Sequence, residues 1–347
     1  LLSTKINDVT EVYIIDLVED VMYESNLQNI SKSYSGRYSE IITKIAKNYT
    51  TKEIFTSGND RQSVKIIIPN LNPIQAMLWL KEKATTIDGY PFYLFSTLVD
   101  QKLKFIDLGT MIGNDVINPD IPYAYYTSAI QSDNHDVQRR VVYAMEQKNT
   151  DDLYSLIKDG AVGSTYNYLD VSKNNRNKFQ FDVTKDLLDP LVNKVLIGTQ
   201  KNVMYGQDYV YNGKPLNTLP SNEFTRIGGI SPYKTIDNDL VTYGERLSIA
   251  EYKQEVISNA MERFLAKAPM TMVVAGVDFI DGDKHSTVGN NVRVQVLVSS
   301  NPENNTAEPL IDKKKSGDYL IFAAHHMFKR GIRYDLKLSC VKLANYV

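Results

Sequence analysis

Apolar positions along this chain repeat with two periods, and the switches between them mark its elements. Glu11 to Val18 is β-branched and aromatic and predicts a strand. Polar residues from Glu24 to Gly36 predict a connection. Ser39 is expected to cap a helix whose Ile41, Ile42, Ile45, Ala46 and Tyr49 fall on one face of a 3.6-residue period. Val64 to Ile68 predicts a short strand ending at Pro69. Asn72 then caps a second helix, with Pro73 at its first position, where a missing N–H costs nothing. Ile74, Met77, Leu78 and Ala84 are its expected buried stripe. Asp88-Gly89 reads as a turn, and Tyr90 to Ser96 and Lys102 to Leu108 as two strands joined near Asp100-Gln101. Residues 36–110 therefore read as one α+β unit.

The middle carries weaker patterns. Asn114 to Tyr126, with two Pro, is expected to be loop. Asp136 to Gln147 is expected to be a helix, with Val137, Val141, Val142 and Met145 apolar. A second helix is expected over Asp151 to Lys158, capped by Thr150 and stopped by Gly160. Tyr166 to Tyr243 is polar and rich in Asn and turn signals, including Asn174 to Asn177 and Asn212-Gly213. It reads as an elaborated surface region and not as core. The last hundred residues are clearer. Ile249 to Ala266 has helical spacing through Val256, Ile257, Ala260 and Phe264. Thr271 to Ile280 and Asn291 to Ser299 are β-branched strands. Asp318 to Phe328 and Ile332 to Leu343 form a hairpin about Lys329-Arg330-Gly331. In its second strand Ile332, Tyr334, Leu336, Leu338 and Cys340 alternate with polar residues, the period of a sheet with one buried face. Several antiparallel strands after one helix predict a small barrel or sandwich.

Composition narrows what the chain can do. Its 347 residues suggest two or three domains, and 43% hydrophobic with 23% charged residues is the balance of a globular protein. With 39 basic and 41 acidic residues there is no bulk attraction to nucleic acid or to an anionic membrane. No apolar run is long enough for a membrane-spanning helix. One Cys excludes an intrachain disulfide and a Cys-based zinc cluster. The chain begins Leu1-Leu2-Ser3-Thr4-Lys5, with neither a signal peptide nor a Met, and is expected to be the C-terminal part of a longer protein. Tyr is abundant, 23 against one Trp (Trp79), which suits strands and part-polar interfaces but also plain compositional drift.

No catalytic constellation stands out along the chain. Cys340 sits on the apolar face of its strand and reads as a buried thiol rather than a nucleophile. No Gly-x-Ser-x-Gly elbow occurs, and Gly163-Ser164 reads as a turn. Of four His, the adjacent His325 and His326 point to opposite faces of their strand and cannot share an ion, while His135 lies in Asp133-Asn134-His135-Asp136, a helix cap by its simpler reading. His285 has no partner in the pattern. Asp278, Asp281 and Asp283 imitate part of a calcium loop but lack its spacing and its distal Glu. No phosphate-binding loop is present, and Gly228-Gly229 is a turn. Among 41 acids, no carboxylate pair stands out for glycoside hydrolysis. From Ile311 onward eight Lys or Arg (Lys313, Lys314, Lys315, Lys329, Arg330, Arg333, Lys337, Lys342) face three Asp (Asp312, Asp318, Asp335). That excess reads as a basic contact surface or, more simply, as a solvated strand face with basic loop tips. Asn48-Tyr49-Thr50 and Asn304-Asn305-Thr306 match the glycan acceptor pattern, which is frequent by chance. No catalytic, cofactor-binding or metal-ligating residue is assigned.

Three stretches together resemble the baseplate hub proteins of contractile-tailed bacteriophages, the family of late-control hub proteins and type VI secretion spikes. The first runs from the Val12 strand through Ile30-Ser31-Lys32-Ser33-Tyr34-Ser35-Gly36 to the helix at Ser39-Glu40-Ile41-Ile42-Thr43-Lys44-Ile45. The second is Ile68-Pro69-Asn70-Leu71-Asn72-Pro73-Ile74-Gln75-Ala76-Met77-Leu78-Trp79-Leu80, leading into Gly89-Tyr90-Pro91-Phe92-Tyr93-Leu94-Phe95. The third is Ser316-Gly317-Asp318-Tyr319-Leu320-Ile321, through His325 and Phe328, to Tyr334-Asp335-Leu336-Lys337-Leu338. They cover about a third of the chain; Gly160-Ala161-Val162-Gly163-Ser164 looks like a further family turn.

The resemblance implies an α+β fold: a tube-like antiparallel β-barrel domain plus α+β insertion domains. It divides the chain into 1–35, the end of a mostly absent N-terminal barrel; 36–113, an α+β domain; 114–245, a loop-rich middle domain; and 246–347, the C-terminal barrel. It implies a non-enzymatic homotrimer in the tail baseplate of a virion, assembled in the host cytoplasm, that joins the hexameric tail tube protein to the central spike protein. Wedge and tape-measure proteins are further expected neighbours. Neither a membrane nor a specific nucleic-acid sequence is expected as a partner, and no cofactor is implied. The competing readings are a tail-associated cell-wall hydrolase with a carboxylate pair in 115–245, and a glycan-binding tail protein using Tyr side chains of 166–211.

Overall fold

The structure, a computed structural model, describes residues 3–7, 10–60, 63–100, 102–126, 135–147, 153–170, 175–191, 210–215, 223–227, 241–242, 249–265, 269–280, 287–298, 310–313, 315–329 and 333–345. A hairpin of β1 (Ser3–Asn7) and β2 (Thr10–Ile14) comes first. The strand read from the sequence stops at Ile14, and the connection expected over Glu24 to Gly36 instead holds the end of α1 (Asp20–Asn26) and most of a strand, Ser33–Arg37. β3 (Ser33–Arg37) leads into α2 (Tyr38–Tyr49). The cap of α2 is Arg37 and not Ser39. The Glu40 carboxylate accepts the Arg37 backbone N–H at 3.1 Å and its guanidinium Nε at 2.9 Å, while the Ser39 N–H is taken by Asp60. β4 (Ile54–Thr56), β5 (Ser63–Ile67) and α3 (Pro73–Lys81) follow, and Asn72 caps α3 by accepting the Gln75 N–H at 2.8 Å. β6 (Phe92–Ser96) pairs antiparallel with β7 (Leu103–Asp107), and α4 (Leu108–Ile112) continues from it. Ile41, Ile42, Ile45, Met77, Phe92 and Phe105 close a first core between these helices and strands; Leu78, expected inside, is exposed.

The middle departs furthest from the sequence pattern. β8 (Tyr123–Tyr126) lies in the expected loop. The expected helix over 136–147 is only α5 (His135–Arg139), followed by β9 (Ala144–Gln147). The valine spacing there fits a helix, but pairing of β9 with another strand overrides it. After α6 (Leu153–Lys158) and the Gly160 stop, β10 (Gly163–Asp170) and β11 (Asn175–Asp182) form a hairpin that runs into a π-helical turn, Val183–Leu188. Two-residue β12 (Val210–Tyr211) and β13 (Lys214–Pro215) flank Asn212-Gly213, both with positive φ as a tight hairpin turn requires. β14 (Glu223–Ile227) adds to β10 in parallel, and β15 (Val241–Thr242) adds to β5. This region is not merely surface. Tyr166, Tyr168, Phe181, Val183 and Leu187 are buried in a second core.

α7 (Ile249–Leu265) crosses that core. β16 (Pro269–Ala275), β17 (Asn291–Val298), β18 (Leu310–Ile311), β19 (Gly317–Lys329) and β20 (Arg333–Asn345) complete the chain. They hydrogen-bond in the order β18-β17-β19-β20-β16-β9, and β8 pairs with the other edge of β17. The ring is closed by a single bridge between β8 and the segment leading into β9: the Ala124 N–H donates to Arg140 O and the Val142 N–H to Ala124 O, both at 2.9 Å. The result is a six-stranded barrel that draws strands from both 114–245 and 246–347. Val292, Val294, Met270, Met272, Leu336, Leu338, Cys340 and Ile321 fill it, so it is a packed core without a lumen. Its outer face at Leu320, Val341 and Leu343 packs against the second core.

Two predictions follow from packing. Gly89 has φ +88°, and a Cβ there would stand 2.8 Å from the Ile257 side chain; at Gly213, φ +74°, the space is open. Both Gly→Ala changes carry the left-handed backbone cost, but Gly89→Ala adds a clash across the junction with α7. In urea unfolding it should cost about 1–3 kcal/mol more than Gly213→Ala. Lys342 continues the inward row of Leu338 and Cys340, is only 1% exposed, and has its pKa pushed down to about 8 by burial. Below pH 8 the ammonium is buried at a cost; between 8 and the ordinary value of 10.5 the folded chain sheds its proton first, so this cost fades as pH rises. Lys342→Met should therefore be more stable than the wild type at pH 7, with the gap narrowing toward pH 10.5 when Tm is followed by calorimetry.

Candidate interaction surface

The barrel seam is held by one partly buried acid. Asp278, in the short 3-10 helix Val277–Phe279 after β16, accepts from the Tyr123 hydroxyl at 2.9 Å and from Arg140 Nε at 3.2 Å, and pairs with Arg139 Nε at 2.6 Å. Arg140 also donates to Ile121 O at 2.9 Å. Burial, and then the Asp278 charge, push the Tyr123 phenol far above its ordinary ionisation range, so it stays a hydrogen-bond donor. These contacts tie β8, the segment between α5 and β9 and the 3-10 turn after β16 where the ring closes.

At the other end of the sheet, β19 and β20 run on beyond the packed interior. The register slips between Ile321 and Ala323, leaving Phe322 outside the ladder and half exposed. Past this bulge, Tyr334 stacks on Phe328 at 4.5 Å between centroids and on His326 at 5.9 Å, and His326 Nδ1 lies 2.6 Å from the Tyr334 hydroxyl. Burial, then the adjacent His325, lower the His326 pKa and favour the neutral ring. The Arg333 guanidinium lies over Tyr143 at 4.4 Å. The Tyr334 ring covers Gly276, where a Cβ would come within 2.1 Å of it. The hairpin end is thus a stiff aromatic blade with Phe328 exposed at its rim.

Two further features face outward. Tyr13, Ile14, Ile15, Leu17 and Val18 are all more than half exposed. Between β6 and β19 a cleft of about 370 Å³ is lined by Tyr93, Leu94, Phe95, Leu265, Leu320 and Phe322, with Glu262 its one charged wall residue.

No family model and no curated protein matches this chain. Solved structures similar to it include a tail protein from Neisseria meningitidis MC58, at 12% identity and TM-score 0.43, over 90% of this chain and 68% of that one. Another is the 43 kDa tail protein of prophage MuSo2 from Shewanella oneidensis, at 10% identity and TM-score 0.43, over 92% and 71%. A third is a chain of the virion of a native gene transfer agent particle, at 11% identity and TM-score 0.39, over 89% and 47%. Likenesses this distant describe those proteins; the reading of this chain rests on its own residues.

The residues weighed for chemistry are scattered. Cys340 is fully buried in the barrel, and desolvation raises its thiol pKa well above the ordinary range. Ser164 is buried and donates to its neighbour's carbonyl, Gly163 O. Asp278 serves the seam; Asp281, Asp283, His285, Asp133, Asn134, Gly228, Gly229 and Asn304 to Thr306 lie outside the described residues. No group of three metal-binding side chains converges among the described residues. Asp159 and Glu255 do line one cavity, of about 220 Å³, but each is committed to an arginine: Arg263 at 2.8 Å and Arg226 at 2.7 Å. Of the tyrosines in 166–211, the described Tyr166 and Tyr168 are buried, whereas Tyr154 before them is exposed. Tyr166 stacks on Phe179 and Phe224 and meets Tyr252 edge-on, so their faces are covered by one another. The basic C-terminal surface is thinner than its sequence: Lys342 is buried, Arg333 and Lys329 pair with Asp335, and Lys315 with Asp312. Lys314 and Arg330 lie outside the described residues. The Arg139-Arg140 pair and Phe322 were not singled out in the sequence; a doubled arginine beside β-branched residues was the available signal for the seam, and the bulge has none.

Asp278→Ala would leave the Tyr123 hydroxyl and two guanidinium groups without their acceptor at the seam. It should lower unfolding free energy by about 3 kcal/mol and weaken the near-UV circular dichroism of the barrel tyrosines.

Proposed function

We propose that this chain is a structural protein of a bacteriophage tail: a trimeric baseplate hub that joins the hexameric tail tube to the central spike. The observation that carries this reading is the closed, packed barrel ending in the β19–β20 blade. The blade is built from the stretch, Ser316 to Leu338, whose sequence resembles the closing hairpin of hub barrels. A barrel with a filled interior cannot itself be a conduit, so a tube made from it must lie between barrels standing side by side. That arrangement needs stiff walls and sticky flanks. The Asp278 contacts, the aromatic blade and the α7 junction supply the first, and the exposed apolar side chains of Tyr13 to Val18 the second.

In this reading the outer barrel surface meets the tail tube protein and the far end meets the spike, with wedge and tape-measure proteins as neighbours, and the chain resides in the virion baseplate. The role is non-enzymatic and needs no cofactor. Light scattering after size exclusion should give a particle three times the mass of the 39.4 kDa chain at micromolar concentration. Mixing with the cognate tube protein should yield stacked rings by electron microscopy. A chain that stays monomeric with and without the tube protein would overturn the hub reading, and so would one that clears a peptidoglycan suspension.

A further inference from the structure

We propose that the cavity between the Thr86–Tyr90 turn and α4 binds an amino sugar, through an ammonium held by Asp88 and Asp107 and a neighbouring hydroxyl held by Tyr90. The cavity measures about 500 Å³, inside the range of roughly 300–1,000 Å³ of small-molecule sites. Its polar lining is Asn59, Thr86, Asp88, Tyr90, Asp107 and Thr110, and both of its charged residues are acids. Asn59 and Ile87, which also line it, are exposed, so it opens to the surface. Its walls are preorganised. The Thr86 N–H donates to Tyr90 O and the Tyr90 N–H to Thr86 Oγ1, both at 3.0 Å, and α7 pins the turn through Gln254 Nε2, which donates to Ile87 O at 3.1 Å. Asp107 is only 2% exposed. Its Oδ1 accepts the Thr110 N–H at 2.9 Å, and its Oδ2 accepts the Thr110 hydroxyl and Asn59 Nδ2, both at 2.7 Å. Oδ1 thus keeps a lone pair for a ligand.

Tyr90 is the residue that points to a ligand. It is 6% exposed, yet its hydroxyl has no hydrogen-bond partner among the described residues. A Cβ at Gly109 would stand 2.6 Å from the Tyr90 ring and 3.1 Å from Asp107 Oδ1, so the ring edge and the carboxylate flank the same point of the wall. Burial, then the charges of Asp88 and Asp107, push the phenol up to about 12, so it stays a donor within reach of both lining carboxylates. A buried donor left unmet is costly, and a ligand oxygen relieves that cost. The ligand's other half follows from charge. Two carboxylates are too few to hold a bare metal ion, and no group of three metal-binding side chains converges among the described residues. An ammonium brings three N–H donors of its own and needs only acceptors. Charge-assisted bonds to Asp88 and Asp107 favour it over a neutral, acetylated nitrogen. An amino sugar carries the ammonium and a hydroxyl on adjacent carbons, the pair that this wall complements.

The test is calorimetric titration of the full chain with glucosamine, N-acetylglucosamine and putrescine, at a pH where the free amines are protonated. Glucosamine should bind saturably, and the other two markedly more weakly. Asp88→Asn should weaken glucosamine binding about tenfold and Tyr90→Phe about threefold. Tyr90→Phe removes a hydroxyl without a protein partner, so its urea unfolding should match the wild type or exceed it, which separates lost binding from lost fold. A linked glucosamine disaccharide distinguishes the sources of the group: binding as tight as the monomer's supports a glycan-borne sugar, and exclusion of the disaccharide supports a free one. No saturable glucosamine binding would overturn the site. Equal binding of N-acetylglucosamine would overturn the role of the ammonium, and equal binding of putrescine that of the hydroxyl. Glucosamine binding untouched by both substitutions would place it outside this cavity and overturn the assignment.

Discussion

Everything else in this molecule is arranged around the burial of α7. Its Tyr252, Val256, Ile257, Ala260, Met261, Phe264 and Leu265 cover more than one stripe of the helix, so a single packing partner cannot satisfy it. The α+β unit meets it at Gly89 and Ile87, the aromatic hairpin sheet at Tyr166 and Phe179, and the barrel at Val341 and Leu343. The polar remainder of the helix is committed as well: Lys253 to Asp186, Glu255 to Arg226, Arg263 to Asp159. These surface pairs add little energy each, but they fix the helix's rotation, and so the register of three surrounding units.

The barrel obeys a different constraint. A sheet with one wet and one dry face must hide the dry one, and closure does so without a second layer. Closing with six strands leaves room only for side chains, which is why Met270, Met272 and Cys340 can meet in the middle. It also places a lysine, Lys342, where the alternation continues past the end of the apolar row. Among the described residues the seam where the ring closes has two backbone hydrogen bonds, both at Ala124, and the Asp278 contacts reinforce it. The bulge at Phe322 lets the hairpin leave the barrel and become a blade. In the hub reading, the wall and the contact edge are thus one pair of strands.

Local rules sufficed where neighbours in sequence are neighbours in space. The helices α2, α3 and α7, the β6–β7 pair, the Asn212-Gly213 turn and the β19–β20 hairpin were all legible, because capping, 3.6-residue spacing and alternation act within a dozen residues. The cap of α2 lies two residues before Ser39, because Glu40 accepts from Arg37 while Asp60 takes the Ser39 N–H. Residues 114–147 misled for a physical reason. Val137, Val141 and Met145 have helical spacing, but the strand partners that override it, β16 and β17, lie more than a hundred residues away. In the middle region Tyr166, Phe179 and Phe224 cover one another's faces, which composition cannot reveal.

Of the surface features, the apolar run Tyr13 to Val18 was visible as a pattern and was read as a strand; only the fold showed that most of it lies open. The cleft between β6 and β19 joins side chains from residues 93 to 341 and has no signature in any one segment. The sequence by itself determined the elements, the inward alternation of the last strand and the inert place of Cys340, because these depend on short-range sterics and burial. The tertiary structure alone decided which strands close the ring, which lysine is buried and which apolar residues remain exposed. Those outcomes depend on long-range pairing, where the packing of distant partners outweighs local preference.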